Sequence, residues 1–560
     1  MKGLFKKACF ITSLSGILFL ALSCAPASSD SSTPSDSSIP SDLDVIAEEK
    51  EKTIIPDKYR NMYQIFPASF ADGNGDGRGD LQGIIDKLDY LDDLNYSGIW
   101  LTPIHPSATD HHYDVEDYKA VSRLFGDLAT FDALVKKVHE KGMTIILDLV
   151  INHSSNQHEW FQDSYIMAKS GSLKSAEAKR YNWVKVSGAL PSGYAKVNAS
   201  DTVAYEARFD ATMPDLNLQQ VLDEPDGDLA TDLKDIFSFW LLDHDVDGFR
   251  LDAVTSYFTG NQTKNKEMLS WINAECKKIK EDCYIVGEAN WGSNSSENKD
   301  YQESGIDSFF QFSCSAQNTG YITQAVNSES AKLIATALQN NKENANGGIE
   351  APFLGNHDTA RYVGGVSGRN DARNAKFALG LLQQLGGATF TYYGDELGMA
   401  SQSVTMDGFY RLPIRWGEND NHTVDVSKLR LYGVSASAID DSKSYPHPDV
   451  ATQLADPNSI LNYAKRANKM RLDIPALARG DSKLLSSTDN AAIIERRYDS
   501  KKVTVVINAS KQLPYEVDYA QYGSKILGEL SVEGKCQYKE KDSTLVVMPR
   551  QSILVIGDAA

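Results

Sequence analysis

Ile145-Ile146-Leu147-Asp148-Leu149-Val150-Ile151-Asn152-His153 and, further along, Gly248-Phe249-Arg250-Leu251-Asp252-Ala253 are the two stretches whose reading decides the fold. Each is an apolar run too short for a typical helix that closes on polar groups, the pattern of a strand buried on both faces. Period 2 places Arg250 and Asp252 on one face and Phe249 and Leu251 on the other. A guanidinium beside a carboxylate favours its ionised form, so the second strand delivers a charged acid to its own end.

Similar runs recur from residue 57 onward. The strand candidates are 62–66, 98–101, 143–148, 247–252, 283–287, 307–312, 351–355 and 388–393. Between the first two, Leu81, Ile84, Ile85, Leu88, Leu91 and Leu94 fall at helical spacing, as do Phe131, Leu134, Val135 and Val138 before the third. Two more helices read from Leu233 to Leu241 and across 457–471. Alternating strands and helices argue for βα units on a parallel sheet, and eight strands close a (β/α)8 TIM barrel of the α/β class. The barrel is expected over 53–153 and 215–478, with a small inserted domain at 154–214. From 479 to 560 the pattern turns to strands at 491–498, 503–507, 544–548 and 553–556, which reads as a C-terminal antiparallel β-sandwich domain.

At the N-terminus, Lys2, Lys6 and Lys7 precede an apolar run from Ala8 to Leu22, too short and one-sided for a membrane span. Residues 1–24 therefore read as an export signal. Its end, Ala21-Leu22-Ser23-Cys24, resembles a bacterial lipobox, which implies lipidation of Cys24; the alternative is an ordinary cleaved signal with a coincidental cysteine. Residues 25–52 are rich in Ser, Pro and Asp, a composition that reads as a flexible tether. The expectation is an exported monomer at the cell surface or in the periplasm, touching a membrane only through that anchor. A formal net charge of −20 disfavours nucleic-acid backbones and suits a neutral ligand. Cys276, Cys283, Cys314 and Cys536 match no zinc spacing; they read either as buried thiols or as including a Cys276–Cys283 bridge.

Catalytic groups of a βα barrel lie at the C-terminal ends of its strands. There the third strand brings Asp148, Asn152 and His153, the fourth Arg250 and Asp252, the fifth (Ile285-Val286-Gly287-Glu288) Glu288, and the seventh (Phe353-Leu354-Gly355-Asn356-His357-Asp358) His357 and Asp358. Any one of these acids reads most simply as a helix cap. Together they converge on one pocket. A different feature, Asp72-Gly73-Asn74-Gly75-Asp76-Gly77-Arg78-Gly79-Asp80, sets oxygen ligands at alternate positions with glycines between them. It reads as a loop for a hard cation or as a polar turn, and Gly83 at the twelfth position rules out an EF-hand.

The segments LDLVINH (147–153), GFRLDAV (248–254), VGEAN (286–290) and FLGNHD (353–358) resemble the strand-end motifs of glycoside hydrolase family 13, the α-amylase family, in order and spacing. The resemblance runs over about residues 57 to 556. It implies Asp252 as nucleophile, Glu288 as general acid/base and Asp358 as transition-state stabiliser, with Arg250, His153 and His357 holding the sugar beside the scissile bond. Asp110-His111-His112-Tyr113-Asp114 resembles the stretch that sets His111 on a hydroxyl and Tyr113 as a stacking platform, although Tyr113 by itself also reads as a rim aromatic. Tyr392–Glu396 and Arg411–Trp416 resemble segments that frame the pocket.

The loop at 72–80 is similar to a structural calcium loop of the family, which implies Ca2+ held by Asp72, Asn74, Asp76, the carbonyl of Arg78 and Asp80. A second family calcium would use Asn152 and Asp215, but Thr255-Ser256 stands where Lys-His is usual. Met213-Pro214-Asp215-Leu216-Asn217 resembles a form intermediate between oligo-1,6-glucosidases and neopullulanases, and Ala253 looks like members acting on α-1,4 bonds. The expectation is endo-hydrolysis of α-1,4-glucosidic bonds in starch and maltodextrins by double displacement. An exo-acting α-glucosidase or a neopullulanase is the alternative. A non-catalytic starch-binding protein is disfavoured because no carboxylate of the triad is missing.

Overall fold

The eight barrel strands are Asn61–Ile65, Gly98–Leu101, Thr144–Leu149, Gly248–Leu251, Tyr284–Gly287, Ser308–Gln311, Ile349–Pro352 and Thr389–Tyr392 in a computed structural model. It describes residues 60–558 apart from 290–295, 316–319, 365–369, 432–433 and 540–541, so the signal, Cys24 and the tether lie outside the described residues. All eight strands run parallel. The first pairs with the second (Met62 opposite Gly98) and with the eighth (Asn61 opposite Thr389), while the seventh meets the eighth through one bridge, Phe353 to Phe390. That bridge closes the ring.

Alternation along each strand divides the core in two. Met62, Trp100, Ile146, Tyr284, Val286, Phe310, Phe353 and Phe390 fill the barrel interior. Tyr63, Ile65, Ile145, Leu147, Phe249 and Leu251 face outward into the layer packed by the helices. Gly248 allows the fourth and fifth strands to approach, since a Cβ there would lie 1.9 Å from the carbonyl oxygen of Tyr284. These two strands carry Arg250 and lead into Asp252 and Glu288.

Some boundaries differ from the sequence reading. The seventh strand begins at Ile349 and ends at Pro352, where the 351–355 expectation followed hydrophobicity alone. Phe353 and Leu354 are apolar because they are buried, but beyond Pro352 the regular ladder stops. The helix expected from Leu233 begins earlier, at Asp228, and after Ser238 passes into a wider turn over Phe239–Asp243. Within that turn Trp240 donates its indole N–H to the Tyr118 carbonyl at 2.8 Å, a tertiary contact invisible to periodicity. The last barrel helix, Ile460–Asp473, is capped by Ser459, whose hydroxyl accepts from the Asn462 amide.

The inserted segment holds a three-stranded antiparallel sheet of Trp183–Lys185, Val203–Glu206 and Tyr194–Ala195, with Val203–Glu206 central. Phe161 stacks on Trp183 at 5.7 Å between centroids and meets Tyr205 edge-on at 4.8 Å, giving this sheet an aromatic core. After residue 480 come two antiparallel sheets, one of five strands and one of three. The four expected strands are present within them. Asp481–Ser487, Tyr515–Asp518, Lys525–Ser531 and Gln537–Lys539 are additional. Asp481–Ser487 is exposed along its whole length, so no buried face marked it in the sequence. Cys276, Cys283, Cys314 and Cys536 are buried free thiols, and the Cys276–Cys283 bridge is not formed.

Two buried arginines satisfy backbone carbonyls at the barrel's base, and one of them, Arg496 of the strand Ala491–Tyr498, ties that base to these sheets. Arg471 donates to the carbonyls of Arg60 (2.8 Å), Gln383 (3.0 Å) and Leu385 (2.6 Å) and to that of Gly387. Arg496 donates to those of Gln384 (2.6 Å), Leu477 (2.8 Å) and Gly480 (3.1 Å). Arg471→Met fills the space but strands several buried carbonyls, and should lower unfolding free energy by about 3 kcal/mol in urea titration. A loss under about 1 kcal/mol would show that the carbonyls find other donors.

Candidate active site

Arg250 occupies the inward position of the fourth strand and is fully buried. A guanidinium removed from water requires anionic partners, and three strands provide them. Its Nη1 lies 2.7 Å from Asp148 Oδ1 of the third strand and 2.6 Å from Asp252 Oδ1 just past its own, while Nη2 pairs with Glu288 Oε2 beyond the fifth. Sharing one guanidinium confines the Asp252 and Glu288 carboxyls to within several ångströms of each other, compatible with the roughly 5 Å of a nucleophile and acid/base pair.

One cation among three carboxyls leaves an excess of negative charge in a medium of low polarity. Burial and, after it, the neighbouring acids push Glu288 up to about 8 against the pull of Arg250. Its Oε1 is buried without a hydrogen-bond partner. Glu288 therefore holds a proton at neutral pH. Asp148 is likewise pushed up, to about 6, by burial and by Asp252. Asp358 behaves in the opposite way. Burial works against its charge, but His357 and Arg411 hold its carboxyl well below the usual carboxylate range. Arg411 Nη2 lies 2.7 Å from Asp358 Oδ1, and His357 Nε2 lies 2.9 Å from Asp358 Oδ2. Acids of similar intrinsic strength thus end up in different protonation states, the arrangement that acid/base chemistry near pH 7 requires.

His357 is oriented from both sides. The Gln64 side-chain amide donates to its Nδ1 at 2.8 Å, which leaves the ring proton on Nε2, toward Asp358. The Tyr113 hydroxyl lies 2.6 Å from that Nε2 and donates to Asp148 Oδ2 at 2.9 Å. The Tyr113 and His357 rings are stacked, 5.4 Å apart and within 3° of parallel. Trp100 completes the set by donating to Asp148 Oδ2 at 3.3 Å. Directly after Asp252, Ala253 takes a positive φ of 47°, a strained conformation for a residue with a Cβ, and its N–H faces Glu288 Oε2 at 3.4 Å.

The other expected residues are nearby but less engaged. His111 is kept neutral by burial and by Arg411, down to about 4, and its Nδ1 accepts from the Tyr113 backbone N–H at 3.0 Å. His153 is buried with Nε2 unpartnered, and its ring packs 5.3 Å from that of Phe209, an aromatic 49% exposed at the rim. Asn152 donates to Asp215 Oδ1 at 3.2 Å, and Asp215 is pushed up to about 7 by burial and by Glu206. Gln64, Trp100 and Phe209 were not singled out in the sequence. Gln64 carried a signal, a polar side chain at an inward position of an apolar strand; the others look like ordinary aromatics until the barrel closes.

The loop at 72–80 is wound tightly. Gly75 and Gly77 have φ of 81° and 89°, and the Asp72 carboxylate accepts from both of their amides, at 2.7 and 2.8 Å. Asp80 accepts from Asn74 at 3.1 Å and caps the next helix by accepting from Gly83 at 2.7 Å. Among the described residues no three His, Cys, Asp or Glu side chains converge closely enough to hold a metal ion by themselves. The donors of this loop include an amide and a backbone carbonyl as well. Each carboxylate oxygen that takes an N–H retains a further lone pair, so the all-oxygen set remains compatible with a hard cation.

Comparison with known proteins agrees with this geometry. Residues 64–480 match the family model described as alpha amylase, catalytic domain. Alpha-amylase 3 of Dictyoglomus thermophilum is 32% identical over 465 residues, which cover 81% of this chain and 85% of that protein. An oligo-1,6-glucosidase of a Bacillus species is 28% identical over 79% of this chain and 98% of its own. Among solved structures, Eubacterium rectale Amy13B superposes with a TM-score of 0.79 at 32% identity, covering 91% of this chain and 97% of that one. An alpha-amylase from H. orenii gives 0.71 at 27% identity, covering 90% of this chain and 100% of the other.

The protonation of Glu288 has a consequence for stability. Its folded value of about 8 lies above the ordinary 4.5, so the parent protein loses stability as pH rises from about 4.5 to about 8, where the unfolded chain ionises this group and the folded chain resists. Glu288→Gln removes that loss. The melting temperature of the variant relative to the parent should rise by roughly 2 °C or more between pH 5 and pH 9. A difference that does not change with pH would mean that Glu288 is ionised in the folded protein.

Proposed function

The chain belongs to the alpha-amylase family of glycoside hydrolases, and on that premise we propose that it cleaves α-1,4-glucosidic bonds within starch and maltodextrin chains with retention of configuration. The observation that supports this most is the grouping of Asp252 and Glu288 on one guanidinium with Glu288 raised to about 8. One acid is salt-bridged and ready to attack. Its neighbour holds a proton ready to donate.

In the first step the Asp252 carboxylate attacks the anomeric carbon as the glycosidic C–O bond breaks, and Glu288 transfers its proton to the departing oxygen. The ring becomes covalently attached to Asp252. Glu288, now ionised, then removes a proton from a water that attacks the same carbon, releasing the sugar and regenerating both carboxyls. Asp358, kept anionic by His357 and Arg411, faces the positive charge that develops on the ring. Tyr113 offers its ring as a platform, and His111, His153 and His357 donate to or accept from hydroxyl groups around it.

Endo action on α-1,4 bonds is supported by Ala253 after the nucleophile, by the likeness to an alpha-amylase over 81% of the chain, and by the Ser-, Pro- and Asp-rich composition of residues 25–52, which suits reach toward a bulky substrate. The likeness to oligo-1,6-glucosidases favours exo action on short chains as the competing reading. Export and lipidation at Cys24 belong to the same proposal, since a surface-held enzyme meets polymer outside the cell. Calcium would be held by Asp72, Asn74, Asp76, the Arg78 carbonyl and Asp80. It would bind the loop after the first barrel strand to the following helix, and it takes no part in bond cleavage.

A product time course on maltoheptaose, pullulan and isomaltose separates the specificities. Mid-sized products appearing first from maltoheptaose are expected. Glucose alone from the outset would overturn endo action. Asp252→Ala should lower kcat/KM by about 10⁴ or more while the protein still folds, as its circular dichroism spectrum would show, and wild-type-like turnover would remove Asp252 from the reaction. For the loop, Asp76→Ala should abolish the stabilisation that calcium gives over chelator in the parent. A parent melting curve indifferent to chelator would exclude the ion.

A further inference from the structure

Three acids share Arg250, and only two of them, Asp252 and Glu288, react in the scheme above. The third, Asp148, has a fully buried side chain, so no substrate reaches it. It stands directly beside Arg250 in the ladder between the third and fourth strands, which puts both side chains on the same inward face. Both of its oxygens are engaged. Oδ1 accepts from Arg250 Nη1 at 2.7 Å, and Oδ2 accepts from the Tyr113 hydroxyl at 2.9 Å and from the Trp100 indole N–H at 3.3 Å.

The hydrogens of Arg250 are divided by this contact. Nη1 carries two, and it lies 2.7 Å from Asp148 and 2.6 Å from Asp252, an arrangement that fixes the guanidinium plane and leaves Nη2 for Glu288. Charge is divided in the same way. Burial works against the charge of Arg250, and among the acids that support it Asp148 comes first, ahead of Glu288 and Asp252. Glu288 is raised by burial first, and then, against Arg250, by Asp252, Asp358 and Asp148 in that order. The direct action of Asp148 on Glu288 is thus the smallest, and its leverage is the share of Arg250 that it takes. Of the other groups facing the cluster, His357 acts on Asp148, and the Tyr257 hydroxyl, beyond the fourth strand, is subject to the charges of Asp252, Arg250 and Asp148. Asp358, the remaining acid, is already paired with His357 and Arg411.

We infer that Asp148 is a positioning residue acting through Arg250: by holding the guanidinium it withholds positive charge from Glu288 and so sets the pH above which the general acid is lost. The inference rests on the hydrolase reading above.

Asp148→Asn keeps the shape of the side chain and removes its charge. In a profile of kcat/KM against pH on maltoheptaose, the parent should lose activity on the alkaline side around pH 8, and the variant about one pH unit lower. Melting supplies a readout independent of turnover. With Glu288 at about 8, the parent goes on losing stability between pH 7 and pH 8, above the range in which Asp148 itself, at about 6, titrates. A Glu288 that ionises earlier ends that loss earlier. The melting temperature of the variant relative to the parent should therefore rise by about 1 °C or more between pH 7 and pH 9. Should the asparagine variant fold poorly, Asp148→Ser, which removes the same charge and leaves room for a water, should give both shifts.

An alkaline limb that stays in place once the charge is gone overturns the inference. So does a loss by one factor at every pH with a melting difference flat from pH 7 to pH 9, the signature of a purely structural role. A parent whose activity already falls near the ordinary 4.5 overturns it without any variant. No turnover by the parent at any pH would overturn the hydrolase reading instead, and the melting comparison would still decide whether Asp148 and Glu288 compete for Arg250.

Discussion

Burying the Arg250 guanidinium is the constraint on which the rest of the site depends. A fully desolvated cation is strongly destabilising unless anions surround it, and Asp148, Asp252 and Glu288 do so from three consecutive barrel strands. The same cluster overshoots neutrality. Three acids cannot all be ionised around one cation, so the most deeply buried acid without a second strong donor, Glu288, retains its proton. Stability and reactivity therefore have one origin: the arrangement that makes the buried arginine tolerable also produces an acid beside an ion-paired carboxylate.

Around that cluster the barrel acts as a frame that removes freedom. Gly248 lets the fourth and fifth strands meet, the Phe353–Phe390 bridge closes the ring, and the hydrogen bond from Gln64 holds His357 in the tautomer that faces Asp358. Asp358 then gains its low proton affinity from the opposite side of the mouth, through His357 and Arg411. Two electrostatic environments thus meet at the mouth, one in which three acids share Arg250 and one in which Arg411 and the His357 Nε2–H hold Asp358.

Loops and insertions contribute what the barrel does not. The inserted sheet has its own aromatic core around Phe161, Trp183 and Tyr205, which lets it stand over the strand ends and wall off a second compartment. At the other end of the barrel, Arg471 satisfies backbone carbonyls where the barrel's own helices and strands terminate, and Arg496 reaches from the C-terminal strand Ala491–Tyr498 to the Gln384 and Leu477 carbonyls, so the C-terminal sheets are joined to the base by hydrogen bonds as well as by apolar packing.

Much of this was legible in the sequence, because a strand buried on both faces must be written as a short apolar run and because period 2 allows only one side of it to carry charge. The eight strands, the inward placement of Arg250 and the candidate set of Asp252, Glu288 and Asp358 follow from those two rules and from motif resemblance. What neither rule contains is distance between segments far apart in the chain. That Asp148 shares Arg250 with two other acids, that Gln64 orients His357, that Tyr257 and Tyr194 border one cavity, and that Cys276 and Cys283 remain thiols were decided only when the barrel closed. Proton affinities belong to the same group, since they depend on burial and on neighbours brought together from separate strands, and no local pattern encodes either.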